Sequence, residues 1–191
     1  TLPVLNLARY FNPAERDAFL EQLRTAARDI GFFYLTNHGV NDALQSAVQQ
    51  EARRFFALSD EQKQQVAMIH SPHFRGYNRA ASELTRGKPD WREQFDIGAE
   101  RPALRISDSD PRWRRLQGPN LWPEQQPALK TTLLDWQKSM TEMAIVLLRA
   151  FAEALHLPAD AFDALYGDKP NEHIKLIRYP GQESSQSNQG V

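Results

Sequence analysis

A long amphipathic helix near the carboxyl end of the sequence limits the fold more than any other feature. Large apolar residues recur there at steps of three or four: Leu129, Leu133, Trp136, Met140, Met143, Leu147, Phe151 and Leu155. At a rise of 1.5 Å per residue, this pattern predicts a helical rod of about 40 Å. Pro158 cannot continue such a helix, so we expect the rod to end before it and a short helix to follow over residues 159–165.

The rest of the sequence mixes helical and strand patterns. Strands are predicted at 3–7, at 32–36 as a buried strand, at 94–97 and at 173–180. Helices are predicted from a cap at Asn12 to Gly31, from 41 to 56, and after a capping box that begins at Ser59. We expect a turn at Asn37-His38-Gly39, irregular loops over much of 70–123 and an unstructured tail over 181–191.

Composition narrows the class of protein. The 23 Lys and Arg residues balance the 24 Asp and Glu residues, so the formal net charge is −1 and nucleic-acid binding is not expected. No apolar run is long enough to span a bilayer, and we expect no membrane partner. The chain has no cysteine, which excludes disulfides, thiolate metal sites and a cysteine nucleophile. Without a signal peptide at its start, the chain is expected to be cytoplasmic.

Residue chemistry alone reveals no catalytic constellation. His70 and His73 are the only closely spaced histidines, but Pro72 separates them and no nearby carboxylate completes a metal site, so neither is predicted to bind metal. His38 is interpreted as a turn residue, and His156 as a structural residue at a helix end. The sequence also lacks a serine-nucleophile elbow and a glycine-rich phosphate loop.

Seven segments in a fixed order do resemble one family. They lie between residues 2 and 180 and read LPVLNL (2–7), GFFYLTNHGV (31–40), FFALSDEQK (55–63), RGY (75–77), WREQFD (91–96), NLWP (120–123) and IRYP (177–180). Together they resemble the amino-terminal part of isopenicillin N synthase-like, 2-oxoglutarate/Fe(II)-dependent oxygenases. A single NHG triplet would be weak, whereas seven ordered segments make the resemblance specific.

The resemblance implies an α+β fold in which amino-terminal helices pack around a double-stranded β-helix (jelly-roll) core. On this interpretation residues 1–191 are one incomplete domain: a helical and loop region (1–123), a long and a short helix (124–166), and the start of the core (167–191). The implied enzyme uses Fe(II), 2-oxoglutarate and O2 to hydroxylate, desaturate or cyclise a small molecule. The family's His-x-Asp iron motif does not occur in the 191 residues, so the ligands are expected beyond Val191.

The resemblance also suggests roles for particular residues. Tyr179 is the candidate for binding the co-substrate, while Arg75 and Tyr77 are candidates for binding the substrate; the alternative for each is a structural role. Arg178 is expected to form a structural ion pair, because neighbouring strand residues face opposite sides. Two other functions stay open at this point: a non-catalytic helical binding module, and an oxidase of the same family that does not need 2-oxoglutarate. The substrate and the oligomeric state cannot be read from the sequence.

Overall fold

A computed structural model describes residues 1–80 and 91–180, together with the strands at 84–85 and 88–89. The helices are α1 (Arg16–Thr25), α2 (Asp42–Phe56), α3 (Asp60–Gln65), α4 (Pro127–Ala154) and α5 (Asp163–Tyr166). The strands are β1 (Val4–Asn6), β2 (Tyr34–Thr36), β3 (Gly76–Asn78), β4 (Leu84–Thr85), β5 (Lys88–Pro89), β6 (Glu93–Gly98) and β7 (His173–Arg178). The predicted α+β class is confirmed, and the predicted tail over 181–191 lies outside the described residues.

The chain divides into two compact units, each built from two separate stretches of sequence. The first unit comprises Thr1–Gln45 and Asp135–Pro170. In it, β1 and β2 form a parallel pair with Val4 opposite Tyr34. Its core joins Leu5, Leu7, Phe19 and Leu23 to Ala150 and Ala154 of α4. Burial of these apolar side chains provides the main stabilisation of this unit.

The second unit comprises Ser46–Leu134 and Asn171–Val191. Its antiparallel sheet has the order β3-β6-β7, and β4 pairs separately with β5. All six residues of β6 are buried. The core packs Phe55, Phe95, Ile97, Leu129 and Leu133 together, each with no measurable exposure. The ring centroids of Phe55 and Phe95 lie 4.5 Å apart, at the separation expected for attractive aromatic contact.

Local sequence signals explain where several elements begin and end. Ser59 and Gln62 form the predicted capping box at the start of α3, with both reciprocal hydrogen bonds present. A π-helical turn over Ala26–Ile30 follows α1, and the helical segment ends at Gly31, as predicted. Gly31 has the left-handed conformation common at helix ends. Pro127 occupies the first position of α4, where its missing N–H costs no helical hydrogen bond.

Two predictions about the first unit are wrong in detail. Helix α1 begins at Arg16 rather than next to Asn12. Residues 13–15 form a turn, in which the Asn12 side chain accepts a hydrogen bond from the Ala14 N–H. The strand predicted at 32–36 is shorter and not fully buried, since Phe32 and Tyr34 are 71% and 62% exposed. Only the opposite face of this segment, which carries Phe33 and Leu35, packs against the core of the unit.

Predictions for the long helix and the later strands are confirmed. The helix predicted at 129–155 is α4, the strand predicted at 94–97 is β6, and the strand predicted at 173–180 is β7. The short strand β3 was not predicted, because three residues are too few to show an alternating pattern. The short helix α5 covers only the end of the segment predicted after Pro158.

Candidate functional site

Tyr179, the candidate for co-substrate binding, directly follows β7 in the second unit. Its side chain is 52% exposed, and its hydroxyl makes no hydrogen bond to any residue in the described part of the chain. An exposed phenol can donate a hydrogen bond to a carboxylate or accept one from a donor. The position therefore leaves this side chain available to a ligand, and its role stays a prediction.

A cleft of about 480 Å³ lies beside the same end of β7. It is lined by Gln49, Ala52, Arg53, Phe56, Ala57, Ile177 and Arg178. Its walls are mainly apolar and include two guanidinium groups, of which that of Arg178 is paired with the carboxylate of Glu93. The Arg53 side chain has no ion pair or hydrogen bond to another described residue. Such a cleft favours an anionic ligand with an apolar portion.

The carboxylate of Glu93 on β6 fixes the position of Arg178. Its Oε1 accepts a hydrogen bond from Arg178 Nη1 at 2.8 Å. Its Oε2 accepts hydrogen bonds from Lys63 Nζ at 3.0 Å and from the Tyr77 hydroxyl at 2.7 Å. Glu93 is only 5% exposed, and these three donors replace the hydrogen bonds to water that its carboxylate loses on burial. The predicted structural ion pair of Arg178 is confirmed.

Tyr77, predicted to bind substrate, is 3% exposed and donates its hydroxyl to Glu93. Burial raises the pKa of Tyr77 well above its ordinary value, and the hydrogen bond to Glu93 raises that pKa further. The Lys63 ammonium lies 5.3 Å from the centre of the Tyr77 ring. All of these contacts are internal to the protein, so the substrate-binding role of Tyr77 stays a prediction.

Arg75, the second candidate for substrate binding, is 4% exposed. Its Nη1 donates to the carbonyl oxygens of His73 at 2.8 Å and Phe74 at 3.1 Å, and its Nη2 donates to that of Leu116 at 3.0 Å. Burial lowers the pKa of the Arg75 guanidinium from its usual value. A side chain at Gly98 would overlap this guanidinium. Arg75 therefore ties two loops together, and its substrate-binding role also stays a prediction.

The opposite end of β7 is held by Asp96, which is fully buried. Its Oδ1 lies 2.6 Å from His173 Nε2 and 3.5 Å from Lys175 Nζ. Its Oδ2 is buried and has no hydrogen-bond partner among the described residues. Sequence reasoning missed this cluster. Its only sequence signal is an acidic residue between the apolar Phe95 and Ile97 of a strand, because a carboxylate buried there would require a basic partner.

The described residues contain no group of three His, Cys, Asp or Glu side chains that could hold a metal ion. His38 Nδ1 lies 3.2 Å from the Val40 N–H and closes the predicted turn, in which Gly39 has a φ of 81°. His73 Nδ1 lies 2.6 Å from the carbonyl oxygen of Arg115. His156 follows α4 with a positive φ of 61°. The contacts and backbone geometry of these three histidines indicate structural roles. The described residues do not fit an iron ion.

Comparison with known proteins gives a consistent result. The model of the family described as "non-haem dioxygenase in morphine synthesis N-terminal" matches residues 2–125. The chain is 36% identical over 180 residues to the 2-oxoglutarate-dependent dioxygenase frbJ of Dothideomycetidae sp. (strain 11243), covering 94% of the chain and 48% of that relative. It is 30% identical over 192 residues to homoarginine-6-hydroxylase 2-ODD-C23.1 of Arabidopsis thaliana, covering 96% of the chain and 57% of that relative.

Solved structures share the fold. A 2OG-Fe(II) oxygenase family protein from Caulobacter crescentus superposes with a TM-score of 0.79 at 25% identity, covering 97% of the chain and 58% of that structure. The dioxygenase for auxin oxidation from rice superposes with a TM-score of 0.63 at 23% identity, covering 94% of the chain and 52% of that structure. The chain spans about half the length of the curated relatives it matches. Among the described helices, none is both long and apolar enough to cross a membrane.

Proposed function

Because the chain belongs to the 2-oxoglutarate/Fe(II)-dependent oxygenase family, we propose that its protein couples the decarboxylation of 2-oxoglutarate and the reduction of O2 to the oxidation of a small molecule. The observation that carries this proposal is the family match over residues 2–125, together with the 36% identity to a 2-oxoglutarate-dependent dioxygenase. Fe(II) and 2-oxoglutarate are the proposed cofactor and co-substrate.

The architecture proposed for the protein is a jelly-roll core surrounded by the amino-terminal helices. The antiparallel sheet β3-β6-β7 would provide the first strands of this core. Similarity to solved oxygenases over almost the whole chain supports this arrangement. Because the described residues do not fit iron, none of them is proposed as a metal ligand.

Within the proposed site, Tyr179 would hydrogen-bond a carboxylate of 2-oxoglutarate. The exposure of its phenol and the absence of a competing partner among the described residues support this role. Arg53 would add positive charge to the neighbouring cleft, which suits a dicarboxylate. Arg75 and Tyr77 would contribute to substrate binding indirectly, by fixing the backbone around them, because their polar groups already bind protein atoms.

Hydroxylation is the proposed outcome of the oxidation. Relatives that are 30–32% identical to this chain include homoarginine-6-hydroxylases from Arabidopsis thaliana, Glycine max and Oryza sativa. Homoarginine is therefore the first substrate to test, followed by other small cationic amino acids and by neutral and acidic small molecules.

The test uses the intact protein with Fe(II), ascorbate, 2-oxoglutarate and O2. We expect succinate to form faster when an accepted substrate is present, and the substrate to gain one oxygen atom in mass. A matched reaction without 2-oxoglutarate separates this activity from oxidation that does not need the co-substrate. If the protein neither binds 2-oxoglutarate nor forms succinate with any substrate, the proposed function is wrong.

A further inference from the structure

We propose that Glu93 is a positioning residue for 2-oxoglutarate binding: by holding Arg178, it fixes the end of β7 from which Tyr179 meets the co-substrate. This inference rests on the proposed function, because it requires the Tyr179 hydroxyl to contact 2-oxoglutarate. Glu93 itself lies inside the protein and touches no ligand in this scheme. Its effect on binding would therefore pass entirely through the backbone of β7.

The first observation is that the Arg178 side chain is held from two directions. Its Nη1 donates to Glu93 Oε1 at 2.8 Å and to the carbonyl oxygen of Phe56 at 3.1 Å. Phe56 is the last residue of α2, where the unpaired carbonyl groups of a helix favour a cation. Glu93 and Arg178 also stand directly opposite each other in the strand pairing. These contacts fix both the register and the lateral position of the last residue of β7.

The second observation is that Tyr179 directly follows this fixed residue. Neighbouring Cα atoms in a chain are 3.8 Å apart, so movement of Arg178 is transmitted to Tyr179 with little attenuation. The Tyr179 side chain has no described hydrogen-bond partner of its own. Its position therefore depends on the backbone that Arg178 holds.

The third observation is that the Glu93 carboxylate cannot easily take another position. Lys63 and Tyr77 bind its Oε2, and Lys63 also contacts the Asp60 carboxylate at 3.3 Å. Removing the charge of Glu93 would leave two cationic partners without a buried anion, and Arg178 would turn towards solvent. Loss of this one carboxylate should therefore free the end of β7.

The two ends of β7 provide an internal control. Asp96 holds His173 and Lys175 at the beginning of the strand, as Glu93 holds Arg178 at its end. From His173 to Arg178 the strand extends about 17 Å, at 3.3–3.4 Å per residue. A variant at Asp96 removes a buried carboxylate from the same strand pair, but far from Tyr179. This variant therefore measures how far a general weakening of the sheet changes the Kd of 2-oxoglutarate.

The experiment measures the Kd of 2-oxoglutarate by calorimetry, without O2, on the intact Fe(II)-loaded protein. The variants are Glu93→Gln, Arg178→Lys, Asp96→Asn and Tyr179→Phe, with the double variant Glu93→Gln/Tyr179→Phe. Thermal unfolding without ligand identifies any variant that does not fold. Arg178→Lys keeps the charge, but its side chain is one atom shorter and lacks the guanidinium whose Nη1 contacts both Glu93 and Phe56. It therefore tests the same contact if Glu93→Gln fails to fold.

Glu93→Gln and Arg178→Lys are each expected to raise the Kd about tenfold. Loss of a residue that holds a metal ligand in place typically weakens metal binding about 10–100-fold, and we expect the lower end of that range here. Asp96→Asn is expected to change it less than about twofold. In the Tyr179→Phe background, Glu93→Gln should have no further effect, since both changes remove the same contact. Equal effects of Asp96→Asn and Glu93→Gln, or additive effects in the double variant, would overturn the inference.

Failure of this inference can be told apart from failure of the proposed function. If Tyr179→Phe weakens 2-oxoglutarate binding but Glu93→Gln and Arg178→Lys do not, the positioning role is wrong and the proposed function stands. If the folded wild-type protein does not bind 2-oxoglutarate, the proposed function is wrong and the positioning role falls with it.

Discussion

Arg16 and Glu153 form a forked ion pair within the first unit. Arg16 Nη2 lies 2.6 Å from Glu153 Oε1, and Arg16 Nε lies 3.0 Å from Glu153 Oε2. The Arg16 guanidinium also lies 4.2 Å from the centre of the Tyr10 ring, whose hydroxyl donates to Glu153 at 3.3 Å. The Glu153 carboxylate on α4 thus binds the guanidinium of Arg16 on α1 and the hydroxyl of Tyr10, which precedes α1.

Replacing Glu153 with Gln should lower the free energy of unfolding by about 1 kcal/mol. A buried ion pair with two hydrogen bonds would contribute more than this to stability. Here both side chains are partly exposed, which reduces the contribution of the pair. Urea denaturation measures the change. Asp29→Asn, which breaks the exposed pair between Arg28 and Asp29, should leave the urea midpoint unchanged. Equal effects of the two substitutions would contradict this prediction.

Tyr77 should make stability depend on pH in the alkaline range. Burial raises the pKa of Tyr77 in the folded state, so the folded protein retains this proton to higher pH than the unfolded chain does. The stabilisation is complete below pH about 10, the ordinary pKa of tyrosine. It falls by about 1.4 kcal/mol per pH unit as the pH rises above that value.

Tyr77→Phe should therefore reduce the alkaline loss of stability, as measured by urea denaturation at several values between pH 8 and 11. The matched control is Phe55→Leu, which disturbs the same core but keeps Tyr77, whose ring lies 6.0 Å from that of Phe55. Phe55→Leu should lower stability at every pH and leave the alkaline slope as steep as in the wild type. A slope unaffected by Tyr77→Phe would show that this proton is not linked to folding.

Gly76→Ala should cost about 3 kcal/mol of stability or more. Gly76 has a φ of 117°, and an added Cβ would overlap the carbonyl oxygen of Val66, which is backbone and cannot rotate away. Gly31→Ala is the matched control, because Gly31 has a φ of 82° but open space around its Cβ position. The control should cost about 1 kcal/mol in thermal or urea unfolding. The prediction fails if both variants cost the same.

Asp96→Asn should lower the free energy of unfolding by about 1–3 kcal/mol. The substitution removes a buried negative charge from beside His173 and Lys175, but both of these side chains are partly exposed and can regain water. Asp108→Asn is a control, since Asp108 is exposed and has no partner among the described residues. Chemical denaturation should show a clear shift for the first variant and none for the second.

The sequence predicted elements whose signals are local. The apolar period of α4, the capping box at Ser59 and the helix end at Gly31 each depend on residues within a few positions of one another. The burial of segment 32–36 was misjudged because it depends on which elements cover β2. An aromatic run predicts a strand well, but the same run does not specify how many of its faces will be covered.

The candidate site was less accessible to sequence reasoning. The ion pair of Arg178 could be anticipated from strand alternation, but its partner Glu93 lies 85 residues away in the chain. The buried carboxylate of Asp96 and the cation Arg53 of the cleft were both missed. The role of each residue depends on others that are distant in the sequence and that the fold brings together. A single sequence carries no signal for such pairings beyond residue type.

The pairing of β6 with β7 also bears on how this protein is synthesised. Gly98 of β6 lies opposite His173 of β7, so about 75 residues must be added after β6 before its partner strand exists. At 5–20 residues per second, a ribosome needs about 4–15 s for that stretch. During this interval the six residues of β6, all buried in the finished structure, lack one neighbouring strand. The β6 segment of the nascent chain is therefore open to misassociation during these seconds.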